Sequence, residues 1–194
     1  MSYAIIGSGK VGQALAKAFA REKIEVAIAS RRSPEALAPI AKSIGPTIIP
    51  KSLQDALKAL PHLLKTKGSI VNLSSVSGLG GDWGMSSYNA AKGAVTNFTR
   101  ALALEYGSRG VRVNAVAPSL TSTDATAELE KSEAVLAAFR ERLPIGRAAT
   151  PDDIARVILF LASEDALFVN GAILPVDGGV TASNGQPNFL SLLA

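Results

Sequence analysis

The sequence predicts an α/β fold in which a parallel sheet carries helices on both faces. Short β-rich runs alternate with segments whose apolar residues recur at helical spacing, from residues 3–6 at the start to residues 172–176 near the end. Strands that alternate with helices in this way form βαβ units, whose parallel strands are joined by right-handed crossovers. For the six predicted strands, the simplest arrangement is a doubly wound sheet with the order 3-2-1-4-5-6.

The composition predicts one domain over residues 1–194 and excludes several kinds of site. With 47% apolar and 19% charged residues, the chain is long enough for one core and short for two. It has no cysteine and one histidine, His62, so we expect no disulfide framework, no metal site and no Ser/His/Asp hydrolase. The net charge of +4 comes from scattered basic residues, which predicts no nucleic-acid partner. No apolar run is long enough to span a membrane and residues 1–7 lack a signal-peptide pattern, so we expect a cytoplasmic protein.

The first part of the chain predicts three strands and three helices. The second helix begins at Ser33-Pro34, a cap residue followed by proline, and ends at Gly45-Pro46. The third helix, residues 52–64, has Pro61 within its apolar stripe, which predicts a kink or a division into two helices. The strands are predicted at residues 3–6, 25–29 and 47–49.

The second part predicts three more strands and three more helices, followed by a tail. The last helix begins at Thr150-Pro151, again a cap residue followed by proline. The tail, residues 181–194, is expected either to dock on a partner subunit or to fray. The strands are predicted at residues 70–73, 111–116 and 172–176, and the helices at residues 88–106, 129–142 and 151–163.

The turn after the first strand has the glycine spacing of a dinucleotide-binding site. The pattern G-x-G-x-x-G lies between a strand and a helix, and a second strand ends about twenty residues later. This context predicts a Rossmann-like fold with a pyrophosphate on the N-terminus of the helix; three turn glycines without a ligand are the alternative. The predicted pyrophosphate contacts are Gly7, Ser8, Gly9, Lys10, Val11 and Gly12.

The end of the second predicted strand favours NADP(H) over NAD(H). An enzyme that uses NAD commonly has Asp or Glu at this point, whereas this chain has Ser30, Arg31 and Arg32. A hydroxyl and two guanidinium groups bind a 2′-phosphate through charge-assisted hydrogen bonds, and a carboxylate would repel it. A solvated basic turn without a ligand is the alternative.

The second part of the chain contains three residues that predict acid–base chemistry on a carbonyl group. Tyr88 and Lys92 are four residues apart and therefore share one face of a helix. An ammonium group beside a phenol stabilises the phenolate, as a general acid–base needs. Ser75 follows the preceding strand, where its hydroxyl can hold a carbonyl oxygen.

From about residue 60 to residue 180, these motifs resemble those of the short-chain dehydrogenase/reductase family. The matching segments are residues 69–78, 88–95, 111–118, 151–155 and 176–179. The resemblance implies that Tyr88 exchanges the proton, that Lys92 assists it and holds the nicotinamide ribose, and that Ser75 polarises the substrate carbonyl.

The same resemblance implies further contacts and an oligomer. Pro118, Thr121 and Thr123 lie in the segment that contacts the nicotinamide carboxamide, and Trp83 lies in a loop that lines the substrate pocket. Such enzymes are dimers or tetramers, and the helix at residues 88–106 is the expected contact.

Residues 1–56 resemble a different family, the NADP reductases that act with a deazaflavin coenzyme. Residues 3–12 and 29–32 carry this resemblance. The chain therefore resembles a fusion near residues 55–60, with a cofactor-binding front (1–56), a short-chain-dehydrogenase-like half (57–180) and the tail. It has one strand fewer than a full short-chain dehydrogenase, and the catalytic asparagine of that family has no counterpart.

Three functions follow as hypotheses. The first is NADP(H)-dependent interconversion of a small carbonyl compound and an alcohol. The second is dinucleotide binding with little or no turnover: if strand 70–73 pairs with strand 3–6, Ser75 and Tyr88 shift by about 4.8 Å relative to the glycine turn. The third, deazaflavin reduction by NADPH, rests on the front segment alone.

Overall fold

A computed structural model describes residues 3–52, 54–55 and 59–189 and confirms the α/β class. Strands and helices alternate along this part of the chain. The strands are β1 (Tyr3–Ile6), β2 (Val26–Ser30), β3 (Ile48–Ser52), β4 (Ser69–Leu73), β5 (Arg112–Pro118) and β6 (Ile173–Val176). The helices are α1 (Lys10–Arg21), α2 (Pro34–Ile44), α3 (Leu60–Thr66), α4 (Ser86–Gly107), α5 (Ala127–Glu130), α6 (Glu133–Arg142) and α7 (Pro151–Ala162). None of these helices is both long enough and apolar enough to cross a membrane.

One predicted helix is divided in the structure, and another lies partly outside the described residues. The single helix predicted for residues 129–142 is wrong: the chain forms α5 and then α6, because Ser132 caps α6 by accepting a hydrogen bond from the Val135 amide. The helix predicted for residues 52–64 lies partly outside the described residues, at positions 53 and 56–58. Helix α3 begins at Leu60 with Pro61 in its first turn, in agreement with a division at this proline. Residues 190–194 of the predicted tail are also outside the described part.

The strands form two three-stranded parallel sheets instead of the predicted six-stranded one. One sheet has the order β1-β2-β3 and the other β4-β5-β6, so the predicted neighbours within each half are confirmed. Between the described residues of β1 and β4 there is no ladder of hydrogen bonds, and the predicted pairing at this point is wrong. Ile6 and Leu73, at the carboxyl ends of these two strands, are 54% and 42% exposed.

Helix packing, and not strand pairing, connects the two sheets. Ile154 and Leu161 of α7 are buried against Val116 of β5. Val11 of α1 and Val71 of β4 pack against the same cluster. Since α1 directly follows β1, this apolar cluster joins the first sheet to the second and explains how the two halves associate without a shared ladder.

Both ends of α7 are held by polar contacts. The Thr150 hydroxyl accepts a hydrogen bond from the Asp153 amide (3.2 Å), and the Asp153 carboxylate accepts one from the Thr150 amide (2.8 Å). The Arg147 guanidinium donates to the same carboxylate (2.7 Å) and, together with the Thr150 contacts, holds the pKa of Asp153 well below its usual range. At the other end, the Arg112 guanidinium donates to the Leu161 carbonyl (2.8 Å).

Candidate active site

The turn between β1 and α1 allows a ligand to approach the backbone closely. Gly7 has a φ of +132°, and a Cβ on Gly12 would lie 2.0 Å from the Gly7 carbonyl oxygen, so both positions require glycine. A Cβ on Gly9 would meet nothing within 4 Å. The Gln13 amide donates to the Ser8 carbonyl (2.8 Å) and holds the turn. No side chain among the described residues caps the N-terminus of α1, so its first amide groups are available to an anion.

The predicted 2′-phosphate residues lie next to this turn. The Gly7 amide donates to the Ala29 carbonyl (2.7 Å), which brings the glycine turn to the end of β2. Ser30 accepts a hydrogen bond from the Arg32 amide through its hydroxyl (3.1 Å). Arg31 and Arg32 are exposed, and neither forms an ion pair with a described residue. Two guanidinium groups are therefore free to bind an anion here.

Ser75 is buried at the carboxyl end of β4. Its hydroxyl accepts a hydrogen bond from the Ser77 amide (3.2 Å) and lies 3.4 Å from the Pro118 carbonyl oxygen at the end of β5. The structure thus brings together two predicted site residues that are far apart in sequence.

Tyr88 and Lys92 lie on one face of α4, as predicted. The Lys92 ammonium is 5.7 Å from the centre of the Tyr88 ring and donates to the Leu73 carbonyl (3.0 Å). Because Leu73 ends β4, this bond fixes Lys92 between the helix and the sheet. Burial lowers the pKa of Lys92. Tyr88 is 40% exposed, so its phenol is accessible to a ligand.

The loop after β5 is a turn held by hydroxyl groups. The Thr126 hydroxyl donates to the Thr121 carbonyl (2.7 Å) and accepts from the Thr123 amide (2.9 Å). Thr121 is buried and donates to the Ser119 carbonyl (3.1 Å), whereas Thr123 is half-buried. The Ser119 hydroxyl donates to the Asp177 carbonyl (2.9 Å). Of the two threonines among the predicted nicotinamide contacts, Thr123 is therefore the more accessible.

The loop that contains Trp83 is fixed at its base, while the indole itself is fully exposed. Asn89 donates through its side-chain amide to the Ser77 carbonyl (2.8 Å) and the Gly80 carbonyl (2.9 Å). Asn89 thereby ties this loop to the helix of Tyr88. This role was not predicted from the sequence, although the polar residue next to Tyr88 is a signal that could suggest it.

A second contact that was not predicted from the sequence joins the two halves of the site. The Lys10 ammonium lies 3.6 Å from the Asp124 carboxylate. Among the described residues, no other ion pair connects the first sheet and its helices to the remainder of the chain. No local pattern predicts it, because the two residues are far apart in sequence.

Two family models match overlapping parts of the chain. The model described as enoyl-(acyl carrier protein) reductase matches residues 50–181. The model described as NADP oxidoreductase, coenzyme F420-dependent, matches residues 2–61. The predicted change of family near residues 55–60 falls where the two matches overlap.

One curated relative has 59% identity over 132 residues, the meso-2,3-butanediol dehydrogenase of Serratia marcescens. The match covers 68% of this chain and 52% of that protein. The chain spans about half the length of the curated relatives it matches.

Solved structures resemble the chain over nearly its whole length. An oxidoreductase of the short-chain dehydrogenase/reductase family from Burkholderia thailandensis has a TM-score of 0.85 and 27% identity, covering 99% of this chain and 96% of that one. A structure from Agrobacterium tumefaciens with bound NADP is named as a candidate 2-deoxy-d-gluconate 3-dehydrogenase. It has a TM-score of 0.82 and 28% identity, and the match covers 94% of this chain and 96% of that one.

Two glycine substitutions separate the folding role of the turn from its binding role. In Gly12→Ala the new methyl collides with the Gly7 carbonyl, so the free energy of unfolding in urea should fall by about 1–3 kcal/mol. In Gly9→Ala the methyl enters open space, so stability should stay within about 1 kcal/mol of wild type while the NADPH dissociation constant rises about tenfold.

NADPH fluorescence titration measures the second effect. Gly80→Ala is the matched control, since its Cβ also meets nothing within 4 Å and it lies in a different loop. If Gly9→Ala bound NADPH as tightly as Gly80→Ala, the glycine turn would not be the pyrophosphate site.

Proposed function

The chain belongs to the short-chain dehydrogenase/reductase family, and we propose that it is an NADP(H)-dependent oxidoreductase that interconverts a carbonyl group and an alcohol. The observation that carries this proposal is the position of Lys92, which is bonded to the Leu73 carbonyl and lies beside the Tyr88 ring. Ser75 follows at the end of the same strand, β4. An accessible phenol, a fixed ammonium and a hydroxyl at one edge of a sheet supply a proton donor, its stabiliser and a carbonyl-oxygen ligand.

The cofactor assignment is supported by the fit of the site to an NADP molecule. The uncapped N-terminus of α1 and the open space at Gly9 suit a pyrophosphate. Arg31 and Arg32, together with the Ser30 hydroxyl, suit a 2′-phosphate. Pro118, Thr121 and Thr123 are the proposed contacts of the nicotinamide end. When bound, the nicotinamide supplies or accepts a hydride.

The proton chemistry is assigned to three side chains. During reduction the Tyr88 hydroxyl gives its proton to the substrate oxygen, and during oxidation it takes the proton back. The Lys92 ammonium stabilises the phenolate that remains, and its bond to the Leu73 carbonyl keeps it beside the ring. When substrate binds, the Ser75 hydroxyl exchanges its long contact with the Pro118 carbonyl (3.4 Å) for a hydrogen bond to the same substrate oxygen, and it orients the carbonyl group.

The proposed substrate is a small carbonyl compound or the corresponding alcohol. The name of the Serratia relative makes meso-2,3-butanediol the first compound to test. Trp83 is the proposed side-chain contact, since a fully exposed indole has a large apolar surface to offer a ligand.

The Tyr88→Phe variant tests the catalytic assignment. The wild type should reduce NADP⁺ with meso-2,3-butanediol, or oxidise NADPH with a member of a ketone and aldehyde panel. Removing the hydroxyl should lower this rate by about 100-fold or more, with NADPH affinity unchanged, because only proton transfer is lost.

Absorbance of NADPH measures the rate and fluorescence titration measures its binding. Tyr106→Phe, on the same helix, is the control and should behave as wild type. Equal and negligible rates in all three proteins, with clear NADPH binding, would refute the assignment of an enzyme.

The Arg31→Ala variant tests the choice of cofactor. Removing one guanidinium should raise the NADPH dissociation constant by about tenfold or more, since a charge-assisted hydrogen bond is lost. The NADH dissociation constant should not change, because NADH has no 2′-phosphate. Arg109→Ala is the control, and an unchanged ratio of the two constants in Arg31→Ala would contradict the phosphate assignment.

A second candidate function is dinucleotide binding without turnover. The observation that favours it is the absence of a ladder between the described residues of β1 and β4. The glycine turn follows β1 and Ser75 follows β4, so the two parts of the site belong to separate sheets. Hydride transfer needs the reacting atoms within about 3–3.5 Å, and a small displacement between the sheets would prevent it. NADPH binding with no turnover by the wild type would support this candidate.

The front segment supports a third candidate more weakly. The match to the coenzyme F420-dependent NADP oxidoreductases ends at residue 61, so deazaflavin reduction would have to use the second half of a different family.

We infer that the chain is a chimera of the two families, and that its single domain forms through the apolar cluster between α1 and α7.

The proposed oligomer is a homodimer through α4. Ala94, Phe98 and Ala101 are exposed at helical spacing on one face of this helix, and Phe98 is 58% exposed. Sedimentation velocity should give about twice the chain mass of 20.0 kDa. Phe98→Glu should give the monomer mass, because a charge on this face opposes its burial, and Leu167→Glu is the control at another exposed apolar site. A wild type that sediments as a monomer would overturn this proposal.

A further inference from the structure

The ion pair between Lys10 and Asp124 lies at the proposed dinucleotide site. Lys10 is the first residue of α1, and its ammonium is 3.6 Å from the Asp124 carboxylate. The two side chains are 49% and 87% exposed. The pair is therefore open to solvent, and a ligand can reach and displace it.

A fixed turn presents Asp124 to the N-terminus of α1. The Thr126 hydroxyl holds the turn through the Thr121 carbonyl (2.7 Å). At the base of the turn, the Ser122 amide donates to the Ala149 carbonyl (2.8 Å). These bonds fix the backbone around Asp124, and α1 fixes that of Lys10. The proximity of the two charges thus follows from the placement of two ordered elements, not from the chance meeting of two flexible segments.

The carboxylate of Asp124 pairs with the lysine that begins α1, as an anionic ligand at this helix would. Lys10 and the uncapped amide groups of α1 form a positively charged surface, and in the free protein Asp124 is the acidic side chain paired with this lysine. A pyrophosphate that binds there competes with Asp124 for Lys10, and its charge is repelled by the carboxylate 3.6 Å from that ammonium. Exposed ion pairs are weak, so a ligand with two negative charges can do this, at some loss of affinity.

We propose that Asp124 is an internal competitor of the pyrophosphate and sets the affinity of the dinucleotide site. This inference rests on the dinucleotide site of the proposed function. Asp124 weakens the binding of every ligand that carries a pyrophosphate. It leaves unchanged the affinity of a ligand that binds only through a 2′-phosphate at Arg31 and Arg32, because those residues follow β2 and are not paired with Asp124.

The Asp124→Asn variant tests the competition. Its NADPH dissociation constant should fall about 3- to 10-fold, since both the ion pair and the repulsion of the pyrophosphate are removed. The dissociation constant of adenosine 2′-monophosphate should stay within about twofold of wild type, because this ligand has no pyrophosphate. The NADPH gain should shrink as NaCl is raised from about 0.05 to 0.5 M, since salt screens exposed charges.

Three variants control this measurement. Asp165→Asn removes the same charge at an exposed site away from the glycine turn and should leave both constants unchanged. Asp124→Ser should reproduce the gain and excludes an effect of the asparagine amide itself. In Lys10→Met, the further change Asp124→Asn should give a smaller gain than in the wild type, because the ion pair is already absent.

The outcomes separate this inference from the proposed function. NADPH binding that is equal in Asp124→Asn and Asp165→Asn, or weaker in Asp124→Asn, overturns the competition and leaves the dinucleotide site intact. If the wild type and all variants are folded by circular dichroism and bind neither NADPH nor adenosine 2′-monophosphate, the dinucleotide site itself is refuted, and the competition with it.

Discussion

The packing of α7 against α1 and the second sheet is the interaction on which the rest of the structure depends. Ile154 of α7 has no exposed surface, and it lies in the cluster that Val11 and Val71 join from the two halves. A cluster of this kind holds elements together without fixing a register, because apolar contacts have no direction. A ladder of hydrogen bonds would fix the register of β1 and β4 to one arrangement. The relative position of the two sheets is therefore set by side-chain volumes.

This form of connection explains why the polar contacts at both ends of α7 matter. The capping box at Thr150 and Asp153 fixes where the helix begins. The Arg112 guanidinium, which extends from β5, binds the Leu161 carbonyl and fixes the other end to the second sheet. Burial lowers the pKa of Arg112, and its bonds to carbonyl oxygens satisfy its donors in that environment. Because α1 packs against α7, the position of α7 also sets the positions of α1 and of the glycine turn.

Local features of the fold and site were predictable from sequence, and long-range ones were not. The turn at Gly7 to Gly12, the caps at Ser33 and Thr150, and the shared face of Tyr88 and Lys92 depend on residues within a few positions of one another, and each leaves a local pattern. The division at Ser132 also had a local signal, since Ser before Glu favours a helix start.

The missing ladder between β1 and β4 had no such signal, because strand pairing depends on tertiary packing and on which elements compete for an edge. The same holds for the ion pair of Lys10 and Asp124, which joins two distant turns. Asn89 is an intermediate case: its position beside Tyr88 is local, but its partners Ser77 and Gly80 are defined only by the folded loop.

Each part of the site is firmly ordered internally, whereas the two parts are held less firmly relative to each other. Ser75, Tyr88 and Lys92 are connected through β4, β5 and α4 by hydrogen bonds to Pro118 and Leu73. The glycine turn and Ser30 are connected in the same direct way through β1 and β2. Between these parts, the described residues form an apolar cluster and one exposed ion pair. The proposed function therefore assigns dinucleotide affinity mainly to the first sheet and proton transfer mainly to the second, and it makes hydride transfer depend on the distance between them. Substitutions in the α1 and α7 contact should therefore affect turnover more than either cofactor binding or the proton-donating groups.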